Sequence, residues 1–282
     1  MSNLIKSNIL KPNFAQLAQY PAPIRLCLFL AFLLIVWLPV ATPIYLLLNN
    51  DPNLVTILTM GLLFCLFLLC LPFWGNQVHQ QSNLFQHYGL AGTRQNGLNL
   101  LKGLSIGLLF TFSLFALEGL LGWVTFQTPQ DTLPLIIFQG FLSALGIGLV
   151  EELVFRGWLL DELQRDYSPK TALWANATIF AICHFLKPLS EVIRTFPTFP
   201  ALLLLGLTLV WAKRSTGGLL GLPIGIHWGL VWGYYILNVG KLIASSNQVS
   251  PWITGVDGNP LAGIMGILFL SILAVWMRQR IK

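Results

Sequence analysis

Apolar runs of about twenty residues, parted by short polar stretches, recur along the whole chain and constrain its fold more than any other feature. At about 1.5 Å of helical rise per residue, such runs cross the ~30 Å hydrocarbon core of a bilayer. Only 9% of the 282 residues are charged, against roughly a quarter in a soluble domain, which excludes a soluble globule. Lipid offers no partner to a free backbone N–H or C=O, so the spans are expected to be helices.

Runs bounded by charge, Pro and Gly place about eight transmembrane helices near 26–48, 53–73, 98–125, 133–163, 170–186, 199–214, 217–238 and 260–277. Pro39 and Pro43 should kink the first and Pro223 the seventh. With both termini in the cytoplasm, thirteen of the 16 Lys and Arg fall on the inner side, leaving Lys187, Arg194 and Lys241 outside. The net charge of +6 is therefore topological, and nucleic acid is not an expected partner. Cys27, Cys65, Cys70 and Cys183 lie in apolar runs without C-x-x-C spacing and read as small buried hydrophobes. The first run lacks a secretory cleavage site and should be retained. The expectation is an all-α, polytopic bundle, a single domain over 1–282, multi-pass in the cell (plasma) membrane.

An ionisable group at the bilayer centre costs about 2.5–3.5 kcal/mol on insertion scales, so each needs a partner or a task. Within the spans these are Glu118, Glu151, Glu152, Arg156, Asp161, Glu162, His184 and His227. Asp161 and Glu162, beside Arg165 and Asp166, read as a solvated helix end. Glu118 stands alone, where a hydrogen bond from a neighbouring Ser, Thr or Gln would satisfy it.

Glu152 and Arg156 stand one helical turn apart, which allows a bidentate pair, while Glu151 points about 100° away and stays free for general-base work. Counted from the expected cytoplasmic helix ends, Glu151, His184 and His227 lie about 18, 21 and 15 Å deep. They can therefore share one layer. Two imidazoles and a carboxylate suit a divalent metal, Zn²⁺ in particular, which lowers the pKa of a bound water to about 7.

Glu151-Glu152-x-x-x-Arg156, Phe180-x-x-x-His184 and His227, spread over 138–238, resemble the CAAX-protease and bacteriocin-processing family, also called the type II CAAX prenyl endopeptidases. The resemblance implies an intramembrane metalloendopeptidase acting on a membrane-associated protein or peptide. Glu151 would activate water, His184 and His227 would associate with the metal, Glu152 and Arg156 would support the site, and Phe180 would wall the cavity. The last family motif is commonly His-x-x-x-Asn, whereas Val231 stands four residues after His227. Asn238 is about 16 Å further along that helix, leaving Asn176, Trp228 or Tyr234 as other donors. Val231 favours the alternative of a non-catalytic binding, immunity or assembly protein on the same scaffold. A proton-coupled transporter using Glu118 and Glu151 is less supported, for no repeat marks a midplane site.

Overall fold

The computed structural model describes residues 14–281. Lys6, Lys11 and Lys282, assigned above to the cytoplasmic side, lie outside that range. The chain is helical nearly throughout, and backbone contacts divide it into two compact units, one ending at Leu84 and the other beginning at Phe85.

The first unit is built on α1 (Ala22–Leu47) and α2 (Pro52–Gln77). Phe29 packs edge-on against Phe67 and Trp74, and the Trp37 indole donates to the Thr59 carbonyl at 3.0 Å. Pro39, Pro43 and Pro72 are accommodated inside these helices. The short α3 (Leu84–His87) spans the point in the sequence where one unit ends and the other begins.

The second unit runs α4 (Arg94–Leu120), β1 (Val124–Phe126) and α5 (Leu133–Glu151), then a π-helical stretch, Glu152–Leu159, that continues into α6 (Leu160–Asp166). There follow α7 (Pro169–Cys183), α8 (Leu189–Thr195), α9 (Phe199–Ser215), α10 (Gly221–Val239), β2 (Ile243–Ser245), α11 (Pro251–Thr254) and α12 (Ile264–Gln279). Strands β1 and β2 pair antiparallel, Thr125 opposite Ala244, a small sheet that the apolar pattern did not foretell. Helices occupy all eight expected segments. Among the described residues, five helical stretches are long and apolar enough to cross a membrane: Ala22–Leu47, Pro52–Gln77, Arg94–Leu120, Leu133–Asp166 and Leu189–Ser215. The protein is thus an all-α, multi-pass membrane bundle.

Three expectations are corrected. Gly217 and Gly218 take φ of +69° and +93°, a left-handed backbone that cannot continue a helix, so α10 begins at Gly221. Pro223 then lies in the first turn, where no amide is missed, and produces no kink. Cys27 and Cys65 are exposed on outward helix faces, because their runs are apolar all round and present hydrophobes to lipid as well as inward.

Helix α10 is the centre of the second unit, packing most closely on α4 and then on α5. The approach is set by Gly-x-x-x-Gly spacing: Gly221, Gly225, Gly229 and Gly233 on α10, and Gly103 and Gly107 on α4. A Cβ on Gly225 would lie 2.1 Å from the Leu100 carbonyl oxygen, so only glycine lets the backbones meet there. On the other side, Phe180, Leu205, Leu209, Ile226 and Leu273 join α7, α9, α10 and α12 in one apolar core.

Candidate active site

The α5 helix ends at Glu151, and the backbone widens to π-helical i→i+5 bonding from Glu152. A widened turn leaves carbonyls without their usual partners, and two side chains supply them. Asn176 of α7 donates to the Phe155 carbonyl at 2.6 Å, and Lys213 of α9 to that of Arg156 at 2.6 Å. Neither the π stretch nor these supports was foreseen, because i→i+5 bonding has no signature in apolar periodicity.

The adjacent carboxylates part company at this junction. Glu152 is wholly buried, whereas the Glu151 side chain is 28% exposed and lines a cavity. Arg156 Nη1 donates to Glu152 Oε1 at 3.1 Å. The expected bidentate pair is not formed. The second guanidinium nitrogen, Nη2, turns to the Gly206 carbonyl at 3.4 Å, and the group lies 4.1 Å over the Phe180 ring, so its fork cannot also face the carboxylate.

The tautomers of both histidines follow from their partners. His184 is the cap residue just past α7, and its Nδ1 lies 2.8 Å from the Phe180 carbonyl oxygen, which can only accept. His227 Nδ1 lies 2.9 Å from Glu152 Oε1, the oxygen that also receives Arg156. With Nδ1 carrying the proton, each ring in its neutral form presents a lone pair at Nε2. The two Nε2 atoms face the same atom, Glu151 Oε2, at 3.8 Å from His184 and 3.9 Å from His227. That oxygen accepts no hydrogen bond among the described residues.

Phe180 holds the cluster from beneath rather than walling the cavity. Its buried ring meets His184 edge-on with centroids 4.7 Å apart, and His227 at 6.3 Å. The cavity, about 260 Å³, is walled instead by Phe110, Leu202, Leu205, Leu230, Val231 and Leu270, among others. Tyr234 and Asn259 add polar groups; Asn259 comes from the loop before α12 and had no motif to mark it. Of the donors weighed in place of Val231, Asn176 is committed to Phe155, Trp228 donates to the Phe141 carbonyl at 3.1 Å, and the Tyr234 hydroxyl donates to the Gly258 carbonyl at 3.1 Å.

In donor type, two imidazole Nε2 atoms and an unsatisfied carboxylate oxygen fit zinc. Among the described residues, however, no group of three or more His, Cys, Asp or Glu stands in a metal-holding arrangement. Elsewhere, Asp161 pairs with Arg165 and His87, each at 2.8 Å, as suits a helix end. Glu162 is fully buried, contrary to the expected solvation, because it occupies the inward face of α6. Glu118 is also fully buried, and the expected hydrogen bond from a neighbour is not formed.

Residues 132–233 match the family model described as type II CAAX prenyl endopeptidase, Rce1-like. Comparison with curated proteins and with solved structures gives no match. The matched stretch carries Glu151 and both facing histidines, and over those residues, less than half of the chain, the protein is similar to the CAAX-protease-like membrane proteins of the Rce1-like family.

Proposed function

We propose that the protein is an intramembrane endopeptidase that hydrolyses a peptide bond of a membrane-associated protein or peptide. What carries the reading is the convergence of His184 Nε2 and His227 Nε2 on Glu151 Oε2, at 3.8 and 3.9 Å, inside an apolar-walled cavity. These separations exceed a direct hydrogen bond and suit groups arranged around a shared small partner.

Glu151 acts as general base, taking a proton from the attacking water and returning it to the leaving amine. His184 and His227 would hold Zn²⁺, which would supply Lewis acidity toward the scissile carbonyl when bound. Glu152 keeps the His227 Nδ1 proton in place, so that Nε2 remains a lone-pair donor. Arg156 balances the Glu152 charge in a region closed to solvent.

The test is cleavage of a membrane-anchored peptide by the protein in liposomes, followed by mass spectrometry, with metal analysis alongside. Glu151→Ala, His184→Ala and His227→Ala should each lower turnover by about 10²-fold or more while the fold persists. Bound zinc should fall in both histidine variants, and its removal should lower the unfolding temperature. Equal cleavage in all three variants would discard the enzyme reading and favour a binding or assembly role.

A further inference from the structure

Asn259 lines the Glu151 cavity from a loop that lies outside the family-matched residues 132–233. Two ties hold that loop in place. The Tyr234 hydroxyl of α10 donates to the Gly258 carbonyl at 3.1 Å, and Asp257 pairs with Arg194, a guanidinium that Glu191 of α8 shares. The Asn259 side chain is itself fixed at one end, where Oδ1 accepts the Leu261 amide at 3.0 Å and caps the turn Pro260–Ala262. An oxygen engaged in this way turns the amide nitrogen elsewhere. Nδ2 donates to no acceptor among the described residues, and it is not sealed from solvent. A fixed carboxamide thus stands in a largely apolar wall with its N–H groups unspent.

We infer, on the reading of the protein as an endopeptidase, that Asn259 is a substrate-binding residue whose Nδ2 donates to a main-chain carbonyl of the bound peptide. The Leu, Val and Phe side chains of the wall select apolar substrate side chains, which carry no acceptor. The acceptor that every peptide brings is its backbone carbonyl. A carboxylate is a poorer fit, because the cavity lining contains no Lys or Arg among the described residues to balance its charge. Tyr234, whose hydroxyl ties the loop, stands two helical turns beyond His227, about 10 Å along α10. The carbonyl that Asn259 meets is therefore one away from the reacting bond. A single placed donor of this kind orients a ligand in an apolar pocket.

The probe is an N-palmitoylated alanine–leucine octapeptide bearing a fluorophore, whose binding to the Glu151→Ala protein in detergent micelles is followed by anisotropy. Asn259→Ser on that background should weaken binding about five- to tenfold, the worth of one lost hydrogen bond. Serine should still cap the turn, as Ser250 does for the Trp252 amide, but lacks the amide donor. Asn259→Asp keeps the acceptor for Leu261, replaces the donor by an oxygen, and should weaken binding at least as much. Thioamide replacement of the main-chain amides of the probe, one at a time, should reveal a position that weakens binding when Asn259 is present and adds nothing in Asn259→Ser. A merely structural role for the loop would not produce that coupling. With Glu151 restored, Asn259→Ser should raise KM and leave kcat nearly unchanged. Unchanged affinity in both Asn259 variants, no coupled thioamide position, or a fall in kcat at constant KM overturns the inference and leaves the endopeptidase reading intact. Undiminished cleavage by Glu151→Ala with Asn259 in place counts against the endopeptidase reading alone.

Discussion

Glu152 Oε1 lies 2.9 Å from His227 Nδ1 and 3.1 Å from Arg156 Nη1, so one carboxylate oxygen serves two donors from different helical segments. Glu152 therefore acts on the site through His227. Replacing it with Gln keeps an acceptor but removes the charge that fixes the tautomer. We expect turnover to drop about 10–100-fold, in the range found when the outer partner of a metal-ligating histidine is lost. Peptide cleavage by Glu152→Gln, with bound zinc measured on the same sample, checks this.

The π stretch depends on side chains that answer its freed carbonyls. Asn176→Ala removes the donor to Phe155, and leaving a buried carbonyl unmatched costs about 1–3 kcal/mol. Amide exchange across Glu152–Leu159 should accelerate in that variant, with turnover falling alongside it. Exchange identical to the parent would show that the π geometry is held by other contacts.

Contact between α4 and α10 is tight enough that one methyl group should separate them. In Gly225→Ala the new Cβ would meet the Leu100 carbonyl oxygen at 2.1 Å and the Leu104 nitrogen at 2.7 Å, neither of which can yield like a side chain. Overpacking of this kind costs about 1–3 kcal/mol. Because His227 is two residues on, activity should fall too. Gly97→Ala, with nothing within 4 Å of its Cβ, serves as the control and should be neutral or stabilising by up to about 1 kcal/mol. Thermal unfolding in detergent compares the two.

Val231 stands in the cavity wall one turn after His227. Val231→Asn would place an amide donor there without changing the packing elements around it. If the chain is a peptidase, this donor should raise turnover by about 10²-fold or more, the worth of a single oxyanion contact. Cleavage kinetics on one peptide substrate at matched protein concentration is the measurement.

Residence in the membrane, helical architecture and the set of residues worth suspecting follow from the sequence by itself. Each rests on a local property: run length, the solvation of a backbone amide, the cost of one charge in hydrocarbon. Glu151, Glu152, Arg156, His184 and His227 stand out on those grounds before any contact is known. Their arrangement was decided only in three dimensions. The π turn at Glu152, the cap position of His184 and the close approach of α10 to α4 depend on backbone geometry and on contacts between residues far apart in the chain. Those contacts send Glu152 inward and Glu151 into the cavity, and they leave Glu118 buried without a partner, because helix packing rather than apolar periodicity determines which polar atoms meet.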